Sequence, residues 1–251
     1  MSGITDLTVD VAPHAVRARR HITFRIFAAA VAVLLVVGFG VWLSILTPWV
    51  DLGDDADHGW TRTPELHRLA DSASAALMAA IAAAAVVLVI RPHRRSAVTA
   101  WLVAMLAAMG ISSFVSSAIQ GQDPGGAAIF VVVWFALAVA PLVLFAPDRR
   151  SLAAGGVAAA SGPGRNLVIA FTALASLGVL LAAAAIVWRI AGGIIEDPRE
   201  DDLLGFVLLG LALALGALQC LRGREGWRAL GVILAVLTAY GIVAVVSIAL
   251  G

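Results

Sequence analysis

The sequence predicts an all-α, polytopic membrane protein with seven transmembrane helices. Hydrophobic residues make up 61% of the chain and charged residues only 13%, whereas about 25% charged residues is usual in a soluble domain. Seven apolar segments approach the ~20 residues that a helix needs to cross the hydrocarbon core of a bilayer. They lack the alternation of apolar and polar residues that is typical of barrel strands, so we expect helices.

A polar N-terminal segment precedes the seven predicted spans. Residues 1–22 lack hydrophobic periodicity and include several arginines, which predicts a flexible cytoplasmic tail. The apolar run that follows is longer than the core of a secretory signal, so we expect it to be retained. Residues 23–251 are predicted to form a single domain whose main loops are 47–68, 146–166 and 192–202. Its spans are Thr23–Leu46, Leu69–Ile90, Ser96–Ile119, Ala127–Phe145, Leu167–Ala191, Leu203–Leu221 and Ala229–Leu250.

The charges predict how the chain is oriented. All 17 basic residues are arginines, and the absence of lysine excludes a retinal Schiff base. Thirteen of these arginines share one side of the predicted bundle with only four of the 16 acidic residues. Positively charged loops stay in the cytoplasm, so the positive-inside rule predicts a cytoplasmic N-terminus and an outer C-terminus in a bacterial-type plasma membrane.

A weak internal repeat relates the two halves of the chain. When Arg91 is aligned with Arg222 without gaps, Gly110 pairs with Gly241 and Ser116 pairs with Ser247. Corresponding spans begin on the same side, which predicts a parallel repeat of spans one to three with spans five to seven. Two such three-helix units would enclose a cavity or a lipid-filled seam. Chance similarity between apolar helices is the alternative.

Two polar stripes form the first candidate site, at the outer ends of the second and third spans. His67, Asp71 and Ser74 have the spacing of one helix face, and serines recur on one face of the next span. The two stripes would lie at the same depth in neighbouring antiparallel helices. Serine in a spanning helix also serves close helix packing, which is the alternative interpretation. The predicted ligand-binding residues are His67, Asp71, Ser74, Ser113, Ser117 and Gln120.

The outer loop before the second span holds a candidate metal site. Asp54, Asp55, Asp57 and His58 combine carboxylate oxygens, which hard cations prefer, with a histidine nitrogen. The spacing does not match a twelve-residue calcium-binding loop, which needs ligands at alternate positions and a central glycine. A solvated acidic loop that enforces the topology is the alternative.

Sequence motifs favour no particular enzymatic function. The chain has no P-loop, no G-x-S-x-G nucleophile motif and no H-E-x-x-H metal motif. Its one cysteine, Cys220, excludes an intrachain disulfide. No predicted span carries a charge near its centre, where ion-coupled transporters usually place one. We expect no cofactor.

These observations predict a non-enzymatic accessory or interaction component of the plasma membrane. Besides the lipid bilayer, its expected partner is another membrane protein or a second copy of the chain, and not nucleic acid. One alternative is a transporter or permease for a small polar ligand or cation, with the polar stripes as its outer mouth. A second alternative is an integral-membrane enzyme that uses His58 and His67 at the outer surface.

Overall fold

The structure is a computed structural model that describes residues 12–38, 45–49, 64–119, 124–147, 149, 152, 159, 161–192 and 202–250. This part of the chain is helical and contains seven helices that are long and apolar enough to cross a membrane, which confirms the predicted helical class and number of candidate spans and indicates a multi-pass membrane protein. The helices are α1 (Ala12–Val33, continued by a π-helical stretch, Leu34–Gly38), α2 (Pro64–Ile90), α3 (Ser96–Ile119), α4 (Pro124–Trp134, Phe135–Val139 and Ala140–Leu144), α5 (Arg165–Gly192), α6 (Asp202–Leu221) and α7 (Trp227–Leu250).

Helix α1 begins at Ala12, within the segment that was predicted to be a flexible tail, and well before the predicted start at Thr23. Pro13 lies in its first turn, where the missing N–H costs no hydrogen bond and the fixed φ suits a helix. The Thr23 hydroxyl donates to the Arg19 carbonyl at 3.0 Å, so the helix is continuous through the predicted boundary. The tail prediction relied on the lack of apolar periodicity, and a polar segment can be helical without it.

Helix α4 changes its winding in the middle. Phe135–Val139 is π-helical and lies directly before the last turn, which contains the buried Pro141. Proline has no N–H and its ring crowds the carbonyl four residues earlier, so a regular α-helix is strained at this point. The wider π turn relieves that crowding within the span.

Three helices form the centre of the bundle. Helices α2 and α6 are the most enclosed, with 56% of their most apolar stretches buried, followed by α3 with 44%. Helix α1 packs on α2, α4 packs mainly on α3, and α7 packs on both α2 and α6. Helix α5 is held almost entirely by α6, and only 17% of its most apolar stretch is buried. It is therefore a peripheral helix attached along one side.

Helices α5 and α6 touch through two glycines. A Cβ atom on Gly178 would lie 2.5 Å from the Gly210 carbonyl oxygen and 2.6 Å from the Ala214 nitrogen. A Cβ atom on Gly210 would likewise lie 2.5 Å from the Gly178 carbonyl oxygen. Within lipid, helices associate by close packing rather than by the hydrophobic effect, so small residues at the crossing allow this approach.

The loops meet at opposite ends of the bundle. At one end, which we call the basic end, the Ala97 amide donates to the Glu225 carbonyl at 3.0 Å and joins the α2–α3 and α6–α7 connections. At the other, the acidic end, the Tyr240 hydroxyl donates to the Ile45 carbonyl at 2.7 Å. Arg25, Arg91, Arg165, Arg222 and Arg228 belong to the basic end, whereas Glu65 and Asp71 belong to the acidic end. The orientation in the membrane and the internal repeat stay predictions.

Candidate functional site

Two of the predicted ligand-binding residues lie together at the acidic end. His67 and Asp71 are one turn apart on α2, and the distance from His67 Nε2 to Asp71 Oδ2 is 3.7 Å. The side chain of Asp71 is 43% exposed and that of His67 is 17% exposed. The carboxylate can therefore meet a ligand from outside the bundle while the histidine supports it from the side.

The serines of the predicted site have other neighbours. Ser74 packs against α6 at Gly205, where any side chain larger than hydrogen would collide with the serine hydroxyl. On α3, the Ser113 hydroxyl donates to the Met109 carbonyl of its own helix at 2.9 Å. Ser117 is half-buried.

Gln120 and the predicted metal ligands Asp54, Asp55, Asp57 and His58 lie outside the described residues. The metal and enzyme hypotheses, both of which need His58 or its neighbours, therefore stay predictions.

Hydroxyl groups in the helices bond mainly to their own backbone. Six of them donate to the carbonyl four residues earlier, at 2.6–3.2 Å; five of these carbonyls are in the same helix, and the sixth, the partner of Thr99, belongs to Arg95 directly before α3. This arrangement satisfies the hydroxyl inside its helix and needs no polar partner across the bundle. The six are Thr23, Ser72, Thr99, Ser113, Thr172 and Thr238.

The turn Ile45–Trp49 binds Arg68 and Tyr240, two residues that the sequence analysis did not single out. The Arg68 guanidinium donates to the Thr47 carbonyl at 3.3 Å and to the Pro48 carbonyl at 2.9 Å. The rings of Trp49 and Tyr240 meet edge to face, with centroids 6.0 Å apart. Tyr240 is the only tyrosine in the chain, and its position inside an apolar span is the signal that could have drawn attention to it.

A second polar cluster lies at the basic end, around the start of α7. Trp227 Nε1 donates to the Ser161 carbonyl at 3.0 Å, and Arg228 Nη2 donates to the Ser161 hydroxyl at 3.1 Å. The Arg228 guanidinium also lies 5.5 Å from the centroid of the Trp227 ring, within the range of a cation–π contact. Arg228 is exposed, but these two contacts fix its position.

The loop between α6 and α7 holds this cluster rigidly. Gly223 and Gly226 turn the chain with φ angles of 58° and 88°, which glycine adopts without strain. Arg224 between them is buried, and this burial lowers the pKa of its guanidinium, with the positive charge of Arg222 lowering it further. The Ala159 amide donates to the Gly223 carbonyl at 2.7 Å, which ties the loop to the segment before α5.

In the described part of the chain, cavities open between the helices. A groove of about 670 Å³ separates α5 from α7 and has Arg228 at its basic end. A half-enclosed cavity of about 340 Å³ lies between α2, α5, α6 and α7 and includes Ser72 and Tyr240. A third, of about 380 Å³, lies at the basic end beside His21, Arg25, Arg91 and His93. The first two have almost entirely apolar walls, whereas two arginines and two histidines are among the six residues that line the third.

Within the described ranges, no group of three or more His, Cys, Asp or Glu residues is placed to hold a metal ion. Comparison with protein family models, with curated proteins and with solved structures finds no match for the chain.

Proposed function

We propose that the protein is a non-enzymatic accessory component of the membrane that binds another membrane protein or a second copy of itself. The observation that supports this proposal is the use of the polar side chains in the helices. Hydroxyls such as those of Ser113, Thr172 and Thr238 bond to their own helices, and Arg68 bonds to the backbone of a turn. These groups stabilise the bundle itself.

A transport path or an active site needs a different arrangement. Several polar or ionisable groups must point into one shared space, where they bind a ligand or stabilise a reaction. The two apolar cavities described above are lined mainly by alanine, leucine, valine and phenylalanine. These apolar walls support a role in helix packing or lipid contact, and they offer few groups that could bind a polar substrate.

The acidic end is the proposed contact surface. Glu65 is exposed and Asp71 is half-exposed at the start of α2, where they can attract a basic segment of a partner. Attraction between exposed charges is screened beyond about 8 Å at physiological salt, so it would guide and orient the partner more than hold it. Packing of helices within the bilayer would provide the remaining affinity.

Co-purification tests the proposal. The tagged full-length chain, extracted in a mild detergent, is expected to elute with a partner at fixed stoichiometry or as a dimer. The double variant Glu65→Gln, Asp71→Asn should weaken that association severalfold, because it removes two charges from the acidic end. Arg222→Gln, an exposed substitution at the basic end, is the matched control and should leave it intact. A monodisperse monomer without a partner, for the unaltered chain, would refute the proposal.

A cation permease is a second candidate, supported by the approach of His67 to Asp71 at 3.7 Å. If this pair forms an outer mouth, Asp71→Asn should abolish transport, because the neutral amide cannot attract a cation as the carboxylate does. The measurement is the current from proteoliposomes on a solid-supported membrane, with Na⁺, K⁺ and Mg²⁺ tested one at a time. Glu65→Gln is the control and should keep the current. Absence of current with all three ions in the unaltered protein would eliminate this candidate.

A further inference from the structure

We infer that the groove between α5 and α7 binds one anionic phospholipid, with the phosphate at Arg228 and an acyl chain along α7. This inference concerns a lipid site and does not depend on the proposed accessory function. It starts from the way α5 is attached: α6 holds most of it, Phe171 meets Trp227 of α7 edge to face with ring centroids 6.2 Å apart, and beyond this contact a space opens toward α7. The open space is the groove of about 670 Å³.

The groove has the length of an acyl chain. Its walls extend on α7 from Arg228 to Ile242, which is about 21 Å at the helical rise of ~1.5 Å per residue. One leaflet occupies about 15 Å, half of the ~30 Å hydrocarbon core. Thr238 and Ile242 also line the cavity of about 340 Å³ in the acidic half of the bundle. The chain of a lipid anchored at Arg228 therefore meets apolar walls along its whole depth in the leaflet.

The walls of the groove suit a hydrocarbon chain. Apart from Arg228 and Thr238, the residues that line it are apolar or glycine, among them Leu174 on α5 and Val232 on α7. Lipid chains are as apolar as leucine and need no hydrogen-bond partner, so an acyl chain can lie against these walls.

The end of the groove at Arg228 is suited to bind an anion. Arg228 is held by the Ser161 hydroxyl and by the face of Trp227, so its guanidinium needs little ordering when a phosphate arrives. A guanidinium has five N–H donors, and the hydrogen bond to Ser161 leaves others for phosphate oxygens. Arg165 adds positive charge at the first residue of α5, where the helix dipole is also positive.

Native mass spectrometry of the full-length, delipidated chain tests this site. Titration with phosphatidylglycerol is expected to give one retained lipid, and phosphatidylcholine with the same acyl chains is expected to bind more weakly. Arg228→Gln should lower the affinity for phosphatidylglycerol about fivefold, the effect of one arginine near an anionic headgroup. Arg222→Gln, which removes an exposed arginine at the same end of the bundle but outside the groove, should have no such effect.

A second pair of variants tests the apolar part without touching Arg228. Ala235→Phe places a ring inside the groove and should prevent lipid retention, whereas Val236→Phe, at the next and 64% exposed position, should not. The inference is overturned if Arg228→Gln and Arg222→Gln behave alike, if the two phenylalanine variants behave alike, or if both lipids bind equally. The inference would also be overturned if a dimer formed as the lipid adduct disappeared and if Ala235→Phe abolished that dimer. This result would assign the groove to a second copy of the chain.

Discussion

Substitution of Gly178 or Gly210 by leucine is expected to separate α5 from α6 and to destabilise the protein by about 3 kcal/mol, near the upper end for overpacking. A Cβ atom at either glycine would lie 2.5 Å from the backbone oxygen of the other. Backbone atoms cannot rotate away as a flexible side chain can, so the two helices must move apart. Because α6 provides most of the attachment of α5, we expect much of the contact between α5 and the bundle to be lost, with the ring contact between Phe171 and Trp227 of α7 left to hold its basic end.

The single cysteine provides the measurement. Cys220 is buried near the end of α6, so a maleimide dye that becomes fluorescent on reaction reports its exposure during heating. The midpoint of that transition should fall by roughly 6–12 °C in the leucine variants. Gly241→Leu is the matched control, because a Cβ atom at Gly241 meets nothing within 4 Å. Equal midpoints for Gly178→Leu and Gly241→Leu would contradict the proposed crossing.

Trp101→Ala is expected to cost about 3–5 kcal/mol, the usual range for removing a large buried aromatic side chain. Trp101 lies on α3, is fully buried, and donates from Nε1 to the Ala212 carbonyl of α6 at 2.9 Å. Its loss removes both the packing and the hydrogen bond between two of the three central helices. Trp101→Phe keeps most of the packing, so it should cost little more than the hydrogen bond, about 1 kcal/mol.

The same thiol measurement separates these two contributions. Trp188→Ala is the control, because Trp188 is 53% exposed on the peripheral helix α5 and its removal should shift the midpoint little. We expect the order of destabilisation to be Trp101→Ala, then Trp101→Phe, then Trp188→Ala. A Trp101→Ala protein as stable as Trp188→Ala would show that α3 and α6 do not depend on this contact.

The number and type of the helices could be predicted from the sequence because they depend on local properties. An apolar stretch long enough to cross a bilayer must satisfy its own backbone, so it forms a helix whatever its neighbours are. The start of α1 could not be predicted in the same way. Residues 12–22 are helical without being apolar, and the useful signal was Pro13 in a first-turn position.

The candidate site was predictable only within single helices. The spacing of His67 and Asp71 placed them on one face, and they do lie 3.7 Å apart. Which helix each face meets depends on rotation about the helix axis, which spacing does not determine. Ser74 therefore has Gly205 of α6 as its neighbour. The role of Arg68 could not be predicted for a related reason, because its partners are backbone carbonyls, which any residue type provides.

The contact between Tyr240 and Ile45 also has a consequence for biosynthesis. It joins residues 195 positions apart in the sequence. Because a ribosome adds ~5–20 residues per second, Tyr240 is synthesised roughly 10–40 s after Ile45. During that interval Arg68 is the earlier partner available to the same turn, because it follows Thr47 by only 21 residues. The turn Ile45–Trp49 is thus fixed in two stages, first by α2 and finally by α7, so that its last contact forms only when the final helix of the bundle is in place.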